Sequence, residues 1–117
     1  MSSKDGGNRG LGKAPGAHSL AEILSQPQCW ETCLQELAAT QTIDEICREF
    51  GGAKEWLFVG CGSSYYVALA GASSWAKLTG QRAKAVVASD ILLYPDVVLA
   101  GSAGVAAVVI SRSGRTS

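Results

Sequence analysis

Histidine occurs once, at His18, proline three times, and the charges cancel: ten Lys and Arg against ten Asp and Glu. A balanced charge leaves no electrostatic footprint for nucleic acid or an anionic membrane, so neither is an expected partner. The four cysteines (Cys29, Cys33, Cys47, Cys61) show none of the zinc-ligand spacings, and with a single histidine no metal site is expected. They read as small, half-buried residues in a reducing compartment. No apolar run approaches the roughly 18 residues of a membrane span. The opening MSSKDGGNRGLGKAPG has basic residues without the apolar segment of a signal peptide behind them. The expected location is the cytoplasm.

What is present is an ordinary composition for one domain: 117 residues, 47% hydrophobic and 17% charged. Residues 1–17 are rich in Gly, Ser and Lys, lack periodicity and read as a disordered tail. Residues 18–52 read as a helical lead-in. HSLAEILSQ places Leu20, Ile23 and Leu24 at helical spacing with Ser19 as N-cap, and Pro27 is expected to end that helix and open the next. PQCWETCLQELAAT then carries a stripe of Trp30, Cys33, Leu34 and Leu37. In TIDEICREF, Thr42 three residues before Glu45 is a capping-box signature, and Gly51-Gly52 is the stop.

Residues 53–117 change character. WLFVG is a short continuous apolar run, as in a parallel strand covered on both faces. SSYYVALAGASSWAKLT is a helix ended by Gly80, with Ala68, Ala70, Gly71, Ala72 and Ser73 small enough for close packing on a sheet. AKAVVAS is a second strand, DILLYPDVVLA a loop with room for a helical turn, broken at Pro95, and GVAAVVIS a third strand. The order predicts an α/β fold: a parallel, Rossmann-like sheet with helices on both faces. Three strands make a small parallel sheet, so the chain reads as the first part of a longer fold, truncated after the third strand.

Two of the predicted strands run into glycine and serine: WLFV into GCGSSYY, and VAAVVI into SRSGRTS. Ligands of open α/β sheets bind at such carboxyl ends. Glycines at 62 and 114 allow close backbone approach, and the hydroxyls of Ser63, Ser64, Ser111, Ser113 and Thr116 can bond an anion. That chemistry suits a phosphate monoester. A dinucleotide is disfavoured, because GCGSSY lacks the third glycine and Asp90 lies about 28 residues past Gly62, where that pattern asks for about 20. There is no Gly-Lys-Ser/Thr phosphate loop, and no nucleotide or other cofactor is expected.

FVGCGSSYYVALAG, ASDILLY and VVISRSGRTS, in that order, resemble the sugar isomerase (SIS) domain. The sequence is most similar to the isomerase half of glucosamine-6-phosphate synthase and to the AgaS-type sugar-phosphate isomerase/deaminases. LAEILSQPQCWETCL also resembles their lead-in helix, so the likeness covers about residues 19–117. It implies a five-stranded parallel sheet that binds a hexose or hexosamine 6-phosphate. Carried over by position, Ser63 and Ser64 meet the sugar, while Ser111, Ser113 and Thr116 bind the phosphate. Arg112 and Arg115 stand where Gln and Glu are common, which leaves open whether their guanidinium groups add to anion binding or face solvent.

The synthases' glutaminase domain has no counterpart before residue 60, so isomerisation with deamination, or use of free ammonia, is the expected chemistry, and a homo-oligomer the expected assembly. A base is needed to move a proton between neighbouring carbons. The family's acid–base groups lie downstream of the phosphate loop, so they are expected beyond Ser117, and this stretch by itself is expected to be inactive. A non-catalytic phosphosugar-sensing module is the alternative. Glu45 and Glu55 read as surface charges, Asp90 as a cap, Cys61 as a packing residue, Tyr65 and Tyr66 as split between core and rim. Trp30, Trp56 and Trp75 read as aromatics of the core or a dimer face.

Overall fold

The computed structural model describes residues 15–115. The predicted disordered tail falls outside them except for its last three residues, where Pro15 and Gly16 form a turn and Ala17 already begins a helix. The chain divides into two compact units, Met1–Ile43 and Asp44–Ser117.

The first unit is built on α1 (Ala17–Ala39), one continuous helix where two are expected from the sequence. Proline lacks the N–H that would reach the Ile23 carbonyl, yet the helix passes through Pro27. The neighbours Ala21, Glu22, Leu24 and Gln28 are good helix formers, and propagation over 23 residues outweighs one missing bond. The start also differs. Gly16, at φ 83°, turns the chain in, and its carbonyl accepts from Leu20 N at 2.9 Å. Ser19 therefore lies inside the first turn and is no cap. Trp30 is 64% exposed and belongs to no core.

Helix α2 (Thr42–Phe50) has the predicted bounds, with Asp44 and Glu45 in its first turn and Arg48 in its last, matching the helix dipole. Thr42 Oγ1 bonds the Thr40 hydroxyl at 2.7 Å. The helix stops where Gly51 N donates to Cys47 O at 2.9 Å.

Strands β1 (Glu55–Gly60), β2 (Arg82–Val87) and β3 (Val105–Val109) form a parallel sheet in the order β2-β1-β3. Helix α3 (Ser63–Thr79) joins β1 to β2, and Gly80, at φ 71°, ends it as the sequence predicts. Phe58 lies opposite Ala85 and Val108. Because successive side chains alternate, β1 feeds two cores. Trp56 and Phe58 pack with Ala68, Ala72 and Ala106 under α3, and Leu57 and Val59 pack with Val86 on the other face. On the α3 side the small residues let the helix come close: a Cβ on Gly71 would stand 2.9 Å from the Phe58 ring. Trp75 completes that side, its ring centroid 4.4 Å from that of Trp56.

The second face is covered by two short helices, α4 (Ala88–Leu93) and α5 (Pro95–Val98), where the sequence predicts a loop with a helical turn broken at Pro95. The strand expected to run to Ser89 ends at Val87, since Ala88 and Ser89 are already helical. Ile91 and Val98 turn towards Leu57, Val59 and Val86, and that burial organises a segment whose local pattern is too short to read. The N-cap of α4 is Val87, without a side-chain cap bond, so Asp90 sits in the first turn and caps nothing. The architecture is α/β, a three-stranded parallel sheet flanked by helices on both faces. Among the described residues no helix is long and apolar enough to cross a membrane.

Candidate functional site

β1 stops at Gly60 and α3 starts at Ser63, so Cys61 and Gly62 make the whole turn. Such brevity needs backbone against backbone. A Cβ on Gly60 would lie 2.5 Å from the carbonyl carbon and oxygen of Ser64 and 2.8 Å from Tyr65 N. Gly62 takes φ 55°, which favours glycine. The amides of Ser64 and Tyr65 donate to Cys61 O and Gly62 O, each at 3.1 Å, and close the first turn of α3.

The second turn lies alongside. Past β3, Ile110 N donates to Val59 O at 2.8 Å and holds the chain against the end of β1. Residues 111–115 then fold on themselves: Gly114 N donates to Ser111 Oγ at 2.9 Å and Arg115 N to Ser113 Oγ at 3.2 Å, with Gly114 at φ 65°.

Between them is a cavity of about 740 Å³ at the carboxyl ends of the strands. Gly60, Cys61 and Ser64 line it from the first turn, Ser111 and Gly114 from the second, and Ser89 from the start of α4. Val59, Ala88, Leu92, Val109 and Ile110 supply an apolar wall. Of the residues the sequence nominates, the structure brings together Ser64, Ser111 and Gly114. Gly62, Ser63, Arg112 and Ser113 are exposed and outside the lining, and Thr116 lies outside the described residues.

Gly60 and Cys61 stand inside the GCGSSYY motif, and the sequence marks neither as part of a site. Ser89 and Leu92 cannot be identified from sequence, since their place depends on where α4 begins and packs. All four cysteines are exposed, so none is half-buried, and Cys61 faces the cavity instead of packing inside. It stands in the two-residue turn between β1 and α3. Tyr66 is 73% exposed and Tyr65 only half-buried, so neither tyrosine joins the core.

Helix α3 directs its amino terminus to this end of the sheet, where its partial positive charge stabilises an anion by about 0.3–1 kcal/mol. The described lining holds serine hydroxyls, backbone and one thiol, with no carboxylate, imidazole or amine. Among the described residues no three His, Cys, Asp or Glu side chains cluster as metal ligands.

Glu55, at the other end of β1, is not a plain surface charge. Its side chain is 15% exposed, accepts from Ser102 Oγ at 2.8 Å and pairs with Lys84 Nζ at 3.3 Å. The Ser102 hydrogen bond, with Lys84 adding to it against partial desolvation, holds the carboxyl below the usual carboxylate range. It ties the 101–104 connection to the start of the sheet and is structural.

No protein-family model, curated protein or solved structure matches the chain.

Proposed function

We propose that the cavity binds a phosphorylated sugar, as part of a SIS-type aldose–ketose sugar-phosphate isomerase or amino-sugar phosphate isomerase/deaminase. The observation that carries this reading is the meeting of the two glycine-serine turns on one cavity. β2 and β3 flank β1, and their connections cover opposite faces, so the carboxyl end of β1 is where a ligand of an open α/β sheet sits. The phosphate lies against the 111–115 turn. Its oxygens replace the Ser111 hydroxyl as acceptor for the Gly114 amide, these being the two residues of that turn that line the cavity, and the hydroxyl rotates to donate. The sugar reaches Ser64 and the amino end of α3. Each hydrogen bond to the charged group contributes about 1.5–3 kcal/mol.

A second reading, a phosphosugar-sensing module without catalysis, is favoured by the composition of the described lining. Moving a proton between sugar carbons needs a general base, and neither the serines nor the glycines supply one. Binding is common to both readings and is tested first.

Calorimetric titration with glucose 6-phosphate, glucose and inorganic phosphate checks it. Glucose 6-phosphate is expected to bind, Ser111→Ala to weaken it about tenfold or more, and glucose to show no comparable affinity. Equal affinities for glucose and its 6-phosphate contradict the proposal.

A further inference from the structure

A smaller cavity lies at the opposite end of the sheet, within the unit Asp44–Ser117. It measures about 200 Å³ and is lined by Ile46 and Cys47 of α2, Trp56 of β1, and Trp75, Thr79 and Gln81 where α3 passes into β2. Trp75 and Thr79 satisfy their polar groups inside the protein. Trp75 Nε1 donates to Gln81 Oε1 at 3.2 Å, and the Thr79 hydroxyl donates to Trp75 O at 2.7 Å and accepts from Gln81 N at 3.1 Å. Trp56 differs. It is 4% exposed, and among the described residues nothing accepts a hydrogen bond from its buried Nε1. The Trp75 ring, its centroid 4.4 Å from that of Trp56, is a poor substitute, because a ring face accepts only weakly.

An indole N–H left unpaired away from water costs the folded protein free energy, which an acceptor entering the cavity recovers. A single water fits that role badly. Buried water makes about three hydrogen bonds, whereas Ile46, two indole rings and the weakly bonding Cys47 thiol form most of this wall. A six-membered ring fits better, since an apolar cavity of about 150 Å³ already takes benzene. We propose that this cavity is a second ligand site, for a ring-sized, mostly apolar molecule with one hydrogen-bond acceptor. The ring lies against Ile46 and Trp75, and the acceptor takes the Trp56 N–H. The two cavities share no lining residue, so this site stands whether or not the other holds a phosphosugar.

Cyclohexanone is the probe, and the readout is the indole N–H resonances of the three tryptophans, with that of Trp56 assigned by its loss in Trp56→Phe. Cyclohexanone is expected to move the Trp56 resonance downfield along one saturable curve, with a dissociation constant on the order of 1 mM for so small a ligand. The amides of residues 46, 47, 79 and 81 should follow the same curve. Cys47→Phe fills the cavity from an exposed position and is expected to weaken binding about tenfold or more. An unmoved Trp56 resonance at saturation overturns the proposal, as does an equal shift with cyclohexane, which has no acceptor. Shifts at residues 60–65 or 111–115 in place of these would put the ligand in the larger cavity and overturn it too. Full affinity in Cys47→Phe does the same.

Discussion

Gly60 sits where the end of β1 meets the first turn of α3, and its missing side chain is what lets the turn be two residues long. Gly60→Ala would push a methyl group into the Ser64 backbone at 2.5 Å. Backbone cannot rotate aside, so the variant is expected to lose about 1–3 kcal/mol, as overpacking does. Gly52→Ala, with nothing within 4 Å of its Cβ, is the control and should stay within about 0.5 kcal/mol of wild type. Urea midpoints at fixed slope decide; equal midpoints contradict the close approach. The sequence offers the glycine but not this contact, because it depends on the direction in which α3 leaves.

Glu55 makes a pH prediction at the same scale. Its carboxyl is held below the usual range by the Ser102 hydroxyl and by Lys84. A depressed folded value means that its contribution is present above the ordinary carboxylate range and fades as pH falls through the lowered one. Unfolding midpoints measured across acid pH should therefore fall less steeply in Glu55→Gln than in wild type. Identical slopes contradict the assignment. A charge three residues past a glycine pair looks solvent-exposed in sequence, and its two partners come from β2 and from the 101–104 connection.

At the scale of elements, legibility follows length and regularity. Helix α3 has the bounds that its sequence predicts, because one uninterrupted stretch ends at a left-handed glycine. Strand β1 does too, within a residue, as a continuous apolar run. The short helices α4 and α5 are legible in DILLYPDVVLA only as a helical turn within a loop, since six and four residues cannot hold a helix without the sheet they cover. Pro27 misleads in the opposite sense, marking a boundary that the surrounding helix overrides. Pro27→Ala restores one backbone donor and removes a local cost of about 3 kcal/mol. It should deepen the 222 nm ellipticity and slow amide exchange around residues 23–31. No change in either would mean that the helix is already interrupted there in solution.

At the scale of the whole molecule, the α/β class is readable from the alternation of strands and helices, but the strand order is not. Nothing local in the sequence says that the third strand crosses to the far side of the first, and the site exists because of that crossing. It brings Ser111 and Gly114, some fifty residues downstream, beside Ser64 on one cavity. The wall of Leu92 and Val109 has the same origin, one residue from a short helix and one from an edge strand.

The most direct test of the central claim is an amide chemical-shift titration of the chain with glucose 6-phosphate. Residues 60–65 and 111–115 should move together and follow one binding curve, with the 101–104 connection at the opposite end of the sheet unmoved. Shifts confined to one of the two turns, or curves with different midpoints, would contradict a single shared site.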